Sequence, residues 1–210
     1  SDLDKAKTTE PFAFNLAQLV DENRLGINYT WTLVTGYLVM FMQAGFALVE
    51  TGLCRAKNAG HTMAMNFMVY GLGMLGYFIA GFAFQFGGIG LVGVPNLGGL
   101  GALTNELSVN IGGHSWGLIG YKGFFLSDGT YDVGVAVMFL FQMVFMDTTA
   151  TIPTGAMAER WKWSAFCVYA LFVSTLVYPV FGNWAWGGGW LSQLGNIGLG
   201  KGYIDFAGSG

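Results

Sequence analysis

Hydrophobic and polar positions fall into long blocks along this chain. No Asp, Glu, Lys or Arg occurs from Leu25 to Val49, from Asn58 to Asn105 or from Ser164 to Gly200, and Val133 to Ala158 carries only Asp147. A helix needs about 20 apolar residues to cross a bilayer. The pattern therefore predicts four spans, at 29–52, 61–86, 134–157 and 164–184. Residues 1–28 form an extracytoplasmic segment in which Phe12 to Asn23 predicts a short amphipathic helix on the outer face. Between the second and third spans, residues 87–132 predict a long irregular outer loop containing Gly87, Gly88, Gly98, Gly99, Gly101, Gly112 and Gly113. A connection of that length is either a functional cover or a flexible linker.

Composition fixes the class. Charged residues make up 10% of the chain, against roughly 25% in a soluble domain, while hydrophobic residues reach 53% and mean hydropathy is +0.51. Too little charge is present to cover a water-facing globule, so the expected fold is an all-α integral membrane protein. The net charge of −3 and the lack of a basic run exclude nucleic acid as a partner, since such binding needs clustered Lys and Arg. Cys54 and Cys167 have neither disulfide-framework nor zinc spacing, and His61 and His114 are solitary. The sequence thus offers no metal or cofactor site. It also shows no nucleophile–base pairing, so an enzyme is not expected.

Loop charge sets the orientation, because cytoplasmic loops carry the excess of Lys and Arg. Arg55 and Lys57 follow span 1 with no acid beside them, and Glu159, Arg160 and Lys162 follow span 3. The N-terminal segment has Asp2, Asp4, Glu10, Asp21 and Glu22 against Lys5, Lys7 and Arg24, and the 87–132 loop has Glu106, Asp128 and Asp132 against Lys122. Both are net acidic. The N-terminus is expected outside.

Polar groups inside spans mark functional candidates. Gln43 and Glu50 lie seven residues apart, two turns along one face of span 1. They either line a water-containing path or bond to a neighbouring helix. Phe141 and Phe145, four apart in span 3, stack on one face. That spacing serves ordinary packing as well as a pore. Asp147 points to nearly the opposite side of the same helix and needs a partner or a proton there. Trp184 and Trp186 precede Gly187, Gly188 and Gly189, which end span 4. Their aromatic rings are either an interfacial belt or a cation–π platform over an outer vestibule.

Four motifs then occur in order. They are Met42-Gln43-Ala44-Gly45-Phe46-Ala47 with Arg55-Ala56-Lys57-Asn58; Phe141-Gln142-Met143-Val144-Phe145 leading to Gly155-Ala156-Met157-Ala158-Glu159-Arg160; Trp184-Ala185-Trp186-Gly187-Gly188-Gly189-Trp190-Leu191; and Asp205-Phe206-Ala207-Gly208-Ser209-Gly210. Together they resemble the ammonium transporter family, which includes ammonium transporters, methylammonium permeases and Rhesus proteins. The resemblance runs from about residue 30 to the end.

The resemblance implies a bundle of eleven helices, the first ten in two inverted repeats around a pore in each subunit, assembled as a homotrimer. Residues 29–210 would be its N-terminal part, four complete helices and the beginning of a fifth. By motif position Phe145 is the first gate phenylalanine, with Phe141 one turn outward. Trp186 takes the place of the vestibule tryptophan that recruits ammonium, and Asp205 that of the essential aspartate beside it. Gln43 and Glu50 would be a supporting polar stripe.

The implied function is ammonium or ammonia transport across a plasma membrane, a bacterial inner membrane with the N-terminus outside. Aromatic faces attract a cation and exclude anions, and stacked phenylalanines block water and hydrated ions. The alternative the family allows is an ammonium sensor, the same fold joined to a cytoplasmic signalling partner such as a histidine kinase. The ligand is ammonium or ammonia in either case.

Overall fold

The computed structural model describes residues 9–92, 96–127, 130, 132–195, 198, 200 and 203. Among them, four helices are long and apolar enough to cross a membrane: α1, Pro11–Leu53; α2, Ala56–Leu91; α3, Val133–Met157; and α4, Trp163–Gln193. The protein is an integral membrane protein built of α-helices, as its hydropathy blocks predict.

The expected short surface helix at Phe12–Asn23 is not a separate element. α1 runs unbroken for 43 residues, about 65 Å at 1.5 Å per residue, twice the roughly 30 Å hydrocarbon core. Proline occurs only at its first turn, and Gly26 is the sole glycine before the span, a weaker interruption than a helix tolerates. Local pairs reinforce its N-terminal half: Arg24 reaches Asp21 at 2.7 Å, and Gln18 donates to Glu22 at 3.1 Å. Segment 1–28 is thus continuous with the first span from Pro11 onward.

α2 and α4 both leave regular α geometry. A π-turn occupies Tyr77–Gly81 in α2, and two more occupy Val173–Val177 and Asn183–Gly187 in α4. Small residues let these two helices approach. A Cβ at Gly76 would meet the Ser174 hydroxyl, and one at Gly81 would meet the Ser174 carbonyl and Pro179. Close backbone approach of this kind replaces the hydrophobic driving force that lipid does not supply between helices. α3 starts at Asp132, whose Oδ1 accepts from the Gly134 amide at 2.8 Å, a side-chain N-cap. α1 lies against α3 where Gly36 places its backbone near Phe141.

The expected irregular loop at 87–132 is corrected by the structure. It carries an antiparallel hairpin, β1 Glu106–Ile111 and β2 His114–Gly120, in register Ile111↔His114 to Glu106↔Gly120 with an irregularity at Leu107/Ser108. Gly112 and Gly113 make its two-residue turn at φ 63° and 81°. Both central positions of such a turn need positive φ, which glycine adopts without strain. Short 3₁₀ turns flank the hairpin, and it docks on the ends of α2 and α4. The core sits just beneath it, with Tyr77, Phe82 and Phe86 fully buried and Phe139 stacked on Tyr77 at 5.6 Å.

Candidate functional site

Three polar or aromatic groups of side chains occur in the bundle, the first two on faces set by the helix period and the third joining α2, α3, α4 and the hairpin.

The first group is built on Gln43 and Glu50. Gln43 Nε2 donates to the Asn66 carbonyl at 2.9 Å, and its Oε1 accepts from Thr151 at 3.0 Å. Glu50 accepts from Asn66 Nδ2 at 2.7 Å and from the Thr154 hydroxyl. Asn66 is fully buried and joins both members of the stripe. Of the two readings open for Gln43 and Glu50, these contacts are helix-to-helix bonds, tying α1 to α2 and α3. Buried polar groups in an apolar setting are retained only when satisfied in this way. The two expected cytoplasmic loops also meet. The Arg55 amide and guanidinium donate to Glu159 at 2.8 and 2.9 Å. Hydrogen bonds from Asn58 and from Arg55 hold the Glu159 carboxyl below its ordinary range.

The second group is the phenylalanine pair. Phe141 and Phe145 have ring centroids 4.9 Å apart and an interplanar angle of 55°. They wall a cleft of about 570 Å³ between α1 and α3, opposite Trp31, Thr32, Thr35 and Val39. Phe145 keeps 36% of its surface exposed. Both rings therefore line that cleft rather than the packed core. Asp147 points away from that cleft and is buried, 1% exposed. Its carboxylate lies where a Cβ at Gly73 of α2 would be. Of the partner or proton expected for it, the described residues supply no hydrogen-bond partner: neither oxygen has one among them.

A third group, running from the helices to the hairpin, was not singled out in the sequence. Tyr77 donates to Gln85 Oε1 at 2.7 Å, Gln85 Nε2 to Gln142 Oε1 at 3.3 Å, and Tyr178 to the same Gln142 oxygen at 3.2 Å. Asn183 Nδ2 continues the network to the Gln85 carbonyl at 3.3 Å and to Glu106 Oε2 at 3.1 Å. Lone glutamines in charge-free spans were the available signal. Trp186 follows Asn183 by three residues, half-buried and edge-on to Phe181 at 6.2 Å. The neighbouring Trp184 indole donates to Leu118 of β2 at 2.8 Å, so this aromatic end of α4 is joined to the hairpin. Gly188 then turns the chain at φ 108°. The structure brings Phe141 to Phe145 and Gln43 to Glu50; Trp186 stands on another helix, and Asp205 lies outside the described residues. No cluster of metal-ligating side chains occurs among the described residues.

The sequence profile of the Ammonium Transporter Family matches residues 30–210. The chain belongs to that family. It is 40% identical over 201 residues to the ammonium transporter Amt2 of Archaeoglobus fulgidus, covering 93% of this chain and 37% of that one. It is 38% identical over 186 residues to the ammonium transporter Amt1 of Haloferax mediterranei, covering 88% and 31%. Among solved structures it resembles a sensor Amt protein with a TM-score of 0.65 and 32% identity, covering 82% of this chain and 39% of that one. The chain therefore spans about a third of the length of the curated relatives it matches.

Proposed function

We propose that this chain supplies the outer half and first gate of an ammonium-conducting pore, one pore per subunit of a homotrimer in a bacterial inner membrane. Trp186 and Asp205 recruit the cation from outside, and Phe141 and Phe145 close the passage below them. The observation carrying this reading is the adjacent, tilted phenylalanine pair walling a cleft, within a chain whose relatives are ammonium transporters. The chemistry fits. An indole face attracts a cation by about 2 kcal/mol when both are desolvated, and two adjacent rings offer a hydrated ion no oxygen to replace its water. The N-terminus is placed outside by loop charge, and the Arg55–Glu159 pair supports a common side for the two basic loops.

The test is ammonium uptake by the full-length protein carrying Trp186→Leu, with expression and assembly checked. Leucine keeps apolar bulk but loses the ring quadrupole. The expected loss is about 1–2 kcal/mol of cation binding, or roughly a five- to thirtyfold rise in the half-saturating concentration. An unchanged concentration dependence would make Trp186 a belt residue.

The likeness to a sensor Amt protein favours one second reading, an ammonium receptor coupled to a cytoplasmic signalling partner. Methylammonium uptake separates the two. Binding without uptake by the full-length protein supports the sensor, and saturable uptake supports the transporter.

A further inference from the structure

The hairpin brings a carboxylate into the membrane-side packing of the outer face, and half of that carboxylate has no hydrogen-bond partner. Glu106 opens β1 and points at the end of α4, where its Oε2 accepts from Asn183 Nδ2 at 3.1 Å. Its other oxygen, Oε1, is buried and without a partner among the described residues, and so is Asn183 Oδ1. Asn183 is itself completely buried. Glycines surround these atoms on three sides. A Cβ at Gly117 of β2 would stand 3.0 Å from Glu106 Oε1 and 2.9 Å from the Gly188 carbonyl oxygen. A Cβ at Gly88 would meet the carboxylate, and one at Gly189 would stand 2.5 Å from Asn183 Oδ1. The glycines leave a cradle of buried acceptors: a carboxylate oxygen and an amide oxygen with no donor, and a peptide carbonyl that accepts from Gln193 Nε2.

An acceptor-only cradle is costly when nothing donates into it, about 1–3 kcal/mol for each buried unsatisfied group and more where the group is charged. Gln193 Nε2 donates to the Gly188 carbonyl, which keeps one lone pair, but among the described residues no donor reaches Glu106 Oε1 or Asn183 Oδ1. α4 carries no charged residue, α2 carries none from its mid-span to its outer end, and β2 carries only His114, at the hairpin tip. Lys122 beyond β2 donates instead to the Ala102 carbonyl at 3.0 Å. With a single carboxylate the local charge is −1, which suits a monovalent ion. A divalent ion would draw on several carboxylates and six or more oxygens.

We infer that Glu106, Asn183 and the Gly188 carbonyl form a small monovalent-cation site between the hairpin and the end of α4, separate from the Trp186 site. The occupant is an ion of ammonium or potassium size. Ammonium would donate hydrogen bonds to the three oxygens, and potassium would be coordinated by them. Its binding clamps the hairpin to the helix end that carries Trp186. Burial supports the assignment from a second direction: it pushes the Glu106 carboxyl up to about 7, against the pull of the Asn183 bond, so the ionised form lacks compensation that a bound cation would supply.

The experiment is hydrogen exchange of the β1 and β2 amides in the full-length protein at pH 8, titrated separately with ammonium chloride, potassium chloride and tetramethylammonium chloride. Slower hairpin exchange is expected with ammonium, potassium or both, and the two arms identify the ion. Tetramethylammonium, bulkier than either ion and without N–H donors, should have no effect. Glu106→Gln keeps the shape and removes the charge, and Gly117→Ala keeps the charge and fills the space. Each should shift the cation midpoint upward by about tenfold or more. The same response in Glu106→Gln as in the parent protein, or an equal response to tetramethylammonium, would overturn the site. Trp186→Leu should leave the hairpin response intact, so failure here and failure of the recruitment reading are read from different variants.

Discussion

Asn66 is the side chain whose loss the bundle should feel most clearly. It is fully buried in α2, donates to Glu50 at 2.7 Å and to the Thr62 carbonyl at 3.1 Å, and faces Gln43 at 3.4 Å. Asn66→Leu keeps the volume but leaves the Glu50 carboxylate with Thr154 as its remaining side-chain donor. Hydrogen bonds to a charged group are worth about 1.5–3 kcal/mol in protein interiors, whereas polar contacts between membrane helices average nearer 0.6 kcal/mol. Glu50 is only half-buried, which favours the lower part of the range. The expected loss is about 1–2 kcal/mol, measured by reversible unfolding of the full-length protein in mixed micelles. Size alone does not identify the cause, so the decisive measurement is a double-mutant cycle. Removing both partners of a buried polar pair costs less than the sum of the single removals, because no orphan charge is left behind. Asn66→Leu combined with Glu50→Leu should therefore be less destabilised than the two single variants added together, by about 1 kcal/mol. Strict additivity would refute the view that Asn66 stabilises the bundle through Glu50.

Asp147→Asn should alter folding or assembly more than ammonium selectivity, because Asp147 faces Gly73 of α2 rather than the phenylalanine cleft; normal assembly with complete loss of ammonium response would contradict that placement. For the topology, a cysteine introduced at position 114 should react with a membrane-impermeant reagent added outside, and one at position 57 should not; the reverse pattern would invert the orientation. Burial raises the Glu106 carboxyl from an ordinary 4.5 to about 7, so the folded hairpin holds a proton that the unfolded one releases across this window. Docking of the hairpin should therefore weaken as pH rises from about 4.5 through 7 in buffer lacking small monovalent cations. Amide exchange corrected for its intrinsic pH dependence reads this directly, and Glu106→Gln should flatten the profile.

The spans were legible because charge cannot be left in lipid without a partner, so charge-free blocks mark their extent directly. The pairing of Phe141 with Phe145 was equally legible, since the helix period alone puts i and i+4 side chains together. Contacts between helices were not, because they depend on which faces meet. Nothing in the spacing of Gln43 and Glu50 names Asn66, Thr151 or Thr154 as the groups that satisfy them, and nothing about Asp147 reveals that its neighbour is a glycine. The first helix ran past its predicted start because its charged N-terminal half, with Arg24 on Asp21, is as helical as its apolar half. Hydropathy reports the solvent around a helix and carries no signal for where its hydrogen bonds stop.

The hairpin is a different kind of miss, because its signal was present. Leu107, Val109 and Ile111 alternate with polar residues, Gly112-Gly113 follows, and a second run of β-compatible residues comes after it. That is the pattern of two strands joined by a two-residue turn. Surrounded by other glycines, it reads as one more stretch of flexible loop. The distinction matters for the outer site. A flexible loop would leave Glu106 in water, where its carboxylate needs nothing. A hairpin fixed at Trp184 and Asn183 carries the same carboxylate into a buried cradle, where its unpaired oxygen must meet a proton or a cation. The chemistry of Glu106 is thus decided by the register of two strands, and a change that loosens the hairpin without touching Glu106 should abolish the cation response as fully as removing its charge.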